Sequence, residues 1–93
     1  MAEGETLTRE LTVENKLGLH ARAATVFVQT ANRFDADIFV SKDGIEFDGK
    51  SVLSLMSIGA AVGSSVTVTA KGGDAQEALD ALEELFKRKF DEE

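Results

Sequence analysis

Residues 7–34 read LTRELTVENKLGLHARAATVFVQTANRF, and their hydrophobic period changes once along the way. From Leu7 to Glu14 it is two: Leu7, Arg9, Leu11 and Val13 share one face, and Thr8, Glu10, Thr12 and Glu14 the other, as in a half-buried strand. Further on, Ala24, Phe27, Val28 and Ala31 recur at i, i+3, i+4 and i+7, with Phe34 continuing the stripe, which predicts a helix packed by one face. Asn15 to Leu19 has neither period and reads as a loop, so His20 falls at the helix N-terminus. A strand and a helix that each bury one face belong to a layered domain.

The remaining elements extend that layer. Asp37 to Lys42 reads as a strand, Asp43-Gly44 as a two-residue hairpin turn in which both residues tolerate positive φ, and Ile45 to Asp48 as the return strand. Gly49-Lys50 leads into a short helix, Ser51 to Ile58, with Ser51 as N-cap and Gly59 as stop. Ser64 to Ala70 alternates with Val66, Val68 and Ala70 inward. Asp74 with Glu77 three residues on predicts a capping box, followed by one apolar stripe of Ala75, Ala78, Leu79, Leu82, Leu85 and Phe86. The acidic end Asp91-Glu92-Glu93 is expected to fray. Strand-helix-strand-strand-helix-strand-helix predicts an α+β fold, an antiparallel sheet covered on one face by helices. With 93 residues and no repeat or linker, the expectation is a single domain over 1–93, its core at about 7–90.

Ten basic against seventeen acidic residues leave a net charge of −7, which argues against nucleic acid or an anionic membrane as partner and for a protein with a basic docking face. Met1-Ala2-Glu3-Gly4-Glu5 lacks the layout of a secretory signal, no apolar run reaches membrane-spanning length, and there is no cysteine. A soluble cytoplasmic monomer, with no membrane insertion, is the expectation. The acidity is uneven, however. No carboxylate occurs between Glu14 and Asp35, whereas Lys16, Arg22 and Arg33 do, around the chain's one histidine.

That histidine carries the chemistry. The first N–H groups of a helix lack internal partners, and the helix dipole places roughly +0.5 of a charge there, so a phosphoryl group on His20 is stabilised. Arg22 adds a charge-assisted contact, and Gly18 lets the loop approach closely. Such a site needs neither metal nor other cofactor, because an anchored nucleophile and electrostatic clamps suffice for in-line transfer from a partner. One histidine without cysteine does not build a typical zinc site. Gly44 to Ser51, GIEFDGKS, matches a P-loop pattern letter for letter, yet its residues alternate like a strand and Glu46 and Asp48 would face the phosphates, so it is rejected as a nucleotide site. The short helix is apolar over too much of its circumference to be all core. Leu55 and Ile58 are expected inward, leaving Val52, Leu53 and Met56, with Ala60, as an exposed patch near His20 that partners use.

With Gly18-Leu19-His20-Ala21-Arg22, Gly49-Lys50-Ser51, Leu53-Ser54-Leu55-Met56-Ser57-Ile58-Gly59 and Gly72 with Asp74 in register, the chain from about Leu7 to Phe90 resembles the histidine-containing phosphocarrier (HPr) family of the phosphoenolpyruvate-dependent phosphotransferase system. The resemblance implies an open-faced β-sandwich with a four-stranded antiparallel sheet in order 1-4-2-3. It also implies a carrier that is no turnover enzyme by itself, receiving a phosphoryl group on Nδ1 of His20 from enzyme I and passing it to EIIA-type acceptors in sugar transport. Ser51 matches the serine that an HPr kinase/phosphorylase modifies in some bacteria, and transcription regulators are further implied partners. Where the family usually has proline after the arginine, this chain has Ala23, an excellent helix former, so the first turn is expected to survive. Asn15-Lys16-Leu17-Gly18 and the ending Leu85-Phe86 to Phe90-Asp91-Glu92-Glu93 look like the nitrogen-type branch, the Ser51 region like the sugar branch; a purely regulatory docking module is the remaining alternative.

Overall fold

The computed structural model describes residues 5–92; the expectations for Met1 to Gly4 and for Glu93 lie outside them. Within that span the strands β1 (Thr6–Thr12), β2 (Asp37–Lys42), β3 (Ile45–Asp48) and β4 (Ser65–Lys71) and the helices α1 (Ala21–Ala31), α2 (Val52–Ser57) and α3 (Ala75–Lys87) follow in the expected order, and a short turn, Lys89–Asp91, comes after α3. The sheet order is β1-β4-β2-β3, antiparallel throughout. β4 runs between β1 and β2, from Thr6 opposite Lys71 to Thr12 opposite Ser65 on one side and with Val40 opposite Val68 on the other. The hairpin joining β2 to β3 turns through Asp43 (φ 54°) and Gly44 (φ 82°), as the dipeptide predicts.

Period two puts Ile38, Val40, Val66, Val68 and Ala70 on the covered face, where all are buried. Phe27, Leu55, Leu79, Leu82 and Phe86 come down on them from the helices. Arg9 stands on the same covered side of β1 and reaches α3 through Asp80 (2.9 Å) and Glu83 (2.8 Å). The buried stripe of α1 is Ala23, Ala24, Phe27, Thr30 and Ala31, so Val28 lies at its margin rather than in it.

Two expectations are corrected at element ends. Asp74 occupies the N-cap position of α3 without making the capping bond; its carboxylate instead accepts the backbone N–H groups of Asp35 and Ala36, both at 2.9 Å, and ties α3 to the turn before β2. The bonds from Asp35 first of all, and from Ala36, hold this carboxyl below the usual carboxylate range against a smaller opposing effect of desolvation. Nor is the end of the chain frayed as far as Glu92. Phe90 is buried, its ring 5.0 Å from that of Phe86, which itself meets Phe27 edge-on at 6.3 Å. The apolar stripe of α3 therefore continues four residues beyond Phe86 and brings the acidic end back onto the fold.

Candidate functional site

Three segments converge at one end of the sheet: the loop after β1, the loop after α2 and the C-terminal turn. The first two are laced together. Val13 N–H donates to Ser64 O and Gly63 N–H to Val13 O, both at 2.8 Å, and Leu19 N–H donates to Ala60 O at 3.0 Å. Gly18 makes that approach possible, because at φ +70° a Cβ there would stand 2.3 Å from Ala60 O. Fully buried Asn15 organises the loop from inside, donating from Nδ2 to Gly18 O at 2.7 Å.

His20 is the N-cap of α1, with extended backbone (φ −80°, ψ −177°). Its Nδ1 faces the N–H of Arg22 at 3.3 Å, and its Nε2 meets Oε2 of Glu92. A backbone N–H only donates and a carboxylate only accepts, so these neighbours place the ring proton on Nε2 and the lone pair on Nδ1. The first turn of α1 carries no acidic side chain of its own. The carboxylate there comes from the far end of the sequence, with Glu92 Oε1 also accepting from Asn15 Nδ2 at 3.0 Å. Burial alone would raise the Glu92 carboxyl; the hydrogen bonds from Asn15 and His20 and the nearby charges outweigh it and hold the group below its usual range.

His20, Arg22, Lys16, Leu17, Asp91 and Glu92 line an open cleft of about 600 Å³. The basic residues of the window between Glu14 and Asp35 divide in space: Lys16 and Arg22 line the cleft, where two carboxylates from outside the window join them, and Arg33 sits beyond the opposite end of α1 over the ring of Phe34. Leu17 is 72% exposed, so an apolar side chain stands in solvent beside the imidazole.

Residues 7–88 match the family described as the PTS HPr component phosphorylation site. The chain belongs to the HPr family. Among its relatives, the phosphocarrier protein HPr of Cupriavidus necator is 43% identical over 92% of this chain and 97% of its own. The HPr-like protein Crh of Bacillus subtilis is 47% identical over 80% of this chain and 87% of its own. The crystal structure of HPr-C-His from Thermoanaerobacter tengcongensis superposes with a TM-score of 0.90 at 42% identity, covering 94% and 98% of the two chains.

In this HPr-family chain Ala23, in the usual proline position, is fully buried, and α1 begins at Ala21 all the same. Ser51 caps α2, its Oγ accepting from Ser54 N–H at 3.2 Å. Of the residues expected to form an exposed patch, Leu53 is 78% and Met56 43% exposed, while Val52 is half-buried and packs against the core. Ala60 is corrected: its side chain is buried, and what it offers the site is its carbonyl, the acceptor for Leu19. The P-loop lookalike is strand β3 followed by Gly49, whose backbone packs so tightly on Ile38 that a Cβ would lie 2.6 Å from its Cγ2, and Lys50 points its Nζ to Phe34 O at 2.9 Å. Among the described residues no helix is long and apolar enough to cross a membrane. Sequence reasoning missed Asn15, Leu17, Asp91 and Glu92. Phe90, four residues after Phe86, was the signal that the end is anchored; nothing in a loop asparagine announces burial.

Proposed function

We propose that this chain accepts a phosphoryl group on Nδ1 of His20 from phosphorylated enzyme I and passes it to EIIA-type acceptors of the phosphoenolpyruvate-dependent sugar phosphotransferase system. The observation that carries this is the imidazole at the start of α1, its Nδ1 lone pair directed at the helix N-terminus beside Lys16 and Arg22. Transfer is in-line and needs no bound cofactor: the Nδ1–P bond forms as the donor's bond to phosphorus breaks, and the transferred oxygens are met by Arg22 and the helix dipole. Leu17, Leu53 and Met56 form the apolar part of the surface on which enzyme I and the acceptors dock in turn. In this reading residues 1–93, with their core at about 7–90, act as one monomeric carrier domain in the cytoplasm. The phosphocarrier reading is supported by relatives named phosphocarrier protein HPr that match nearly end to end.

Incubation with phosphoenolpyruvate and enzyme I tests the proposal. The expected product is an acid-labile, base-stable phosphoryl group, absent from His20→Ala. A parent that stays unlabelled by a competent enzyme I, or a His20→Ala variant that labels equally, overturns it. Ser51 enters the same proposal as a regulatory site for an HPr kinase: a phosphate there would sit at the start of α2, next to exposed Leu53, and alter the docking surface. Its signature is acid-stable label from ATP and that kinase, lost in Ser51→Ala.

A further inference from the structure

Glu92 is held at the imidazole from more than one side. Its side chain is only 10% exposed, with one carboxylate oxygen on Nε2 of His20 and the other on the fully buried Asn15. Reaching that position requires Lys89, Phe90 and Asp91 to adopt φ of 55°, 54° and 60° in succession, a left-handed turn built without glycine. Side chains other than glycine adopt this conformation only at a steric cost, and strain of this kind persists where the surroundings over-determine it. Here they do: Phe90 is locked against Phe86, and Asp91 N–H and Glu92 N–H close the turn onto Arg88 O (2.9 Å) and Lys89 O (3.1 Å).

We infer that Glu92 is a positioning residue for phosphoryl transfer, fixing the ring of His20 with its proton on Nε2 and offsetting the positive charge that the ring acquires when Nδ1 is phosphorylated. The inference rests on His20 being the acceptor. As the Nδ1 lone pair forms the bond to phosphorus, the electron pair of the breaking bond leaves with the donor. The proton stays on Nε2, and the ring becomes a phosphoimidazolium. A carboxylate already seated on that N–H meets the new charge without rearrangement, much as partners of a working imidazole fix its tautomer and orientation elsewhere. On onward transfer the ring returns to neutrality with the same proton in place.

Two measurements on the full-length parent, Glu92→Ala and Glu92→Gln test this. In the unphosphorylated parent the Nε2–H proton is expected as a slowly exchanging imidazole resonance by NMR; Glu92→Ala loses it, and Glu92→Gln, which keeps an acceptor without the charge, retains it. With phosphoenolpyruvate and enzyme I, labelling of Glu92→Ala slows about tenfold, a loss typical of removing a residue that orients a histidine, and Glu92→Gln falls between the two. A Glu92→Ala variant that keeps the resonance and labels at the parental rate overturns the inference. Should the parent show the Glu92-dependent resonance yet take no label, the phosphocarrier reading fails while the pairing that fixes the tautomer stands.

Discussion

Asn15 spends both of its N–H donors on the site, one on the Gly18 carbonyl and one on Glu92, and is completely buried in doing so. Its Oδ1 finds no hydrogen-bond partner among the described residues. An unpaired buried acceptor carries a desolvation cost, so truncating the side chain removes a penalty along with two good bonds. Asn15→Ala is therefore expected to cost only about 1 kcal/mol of stability. Asn15→Asp is different: it removes the donors and leaves a buried carboxylate facing that of Glu92, an arrangement worse by about 2 kcal/mol or more. Urea denaturation of the two variants at neutral pH should rank Asp below Ala below the parent. The opposite order would mean that the side chains of residues 15 and 92 do not meet as the structure has them.

At the scale of elements, the C-terminal turn is where local preference and tertiary demand part company. Asp91 sits at φ 60° with an exposed side chain whose partner, Arg88 at 3.1 Å, is also at the surface, so the ion pair contributes little. Asp91→Gly relieves the backbone and is expected to stabilise the chain by about 0.5–1 kcal/mol, a rise of roughly 4 °C in Tm. Phe90→Gly relieves a similar φ but empties a core site, and should lose about 3 kcal/mol or more. Thermal unfolding of the pair separates strain from packing. The same contrast explains what was readable beforehand. The strands, the Asp43-Gly44 hairpin and the helix beginning at His20 follow from periods and turn chemistry confined to a few neighbouring residues. The seating of Glu92, the burial of Asn15 and the diversion of Asp74 from its expected cap are contacts across 77, 3 and 39 positions. Only the short one lay within a sequence window, and no spacing rule tells a buried loop amide from a solvated one.

For the whole molecule, the acidic composition acts less through its net charge than through three carboxylates that tie distant parts together. Glu92 fastens the chain end to the loop after β1, Asp74 fastens the start of α3 to the turn before β2, and Asp80 fastens α3 to β1 through Arg9. All three are held below the usual carboxylate range; for Asp80 the bond from Arg9 is the main cause, partly opposed by desolvation. A carboxyl depressed in the folded state contributes stability above its unfolded pKa, and loses it as pH falls through the folded one, because the unfolded chain takes up its proton first. Acidification towards the isoelectric point near 4.6 also relieves the self-repulsion of a chain carrying −7, and further acidification restores it with positive sign. A variant isolates the first effect, since parent and variant share nearly all of the second. Asp74→Asn should be less stable than the parent at pH 7, where the carboxylate accepts two backbone N–H groups, and the gap should narrow as pH falls through and below the usual carboxylate range, where the parent's carboxyl takes up its proton. Urea midpoints for both proteins across that interval measure it. A gap that stays constant with pH would show that Asp74 holds the turn by shape alone, and that its charge contributes nothing to joining α3 to the sheet.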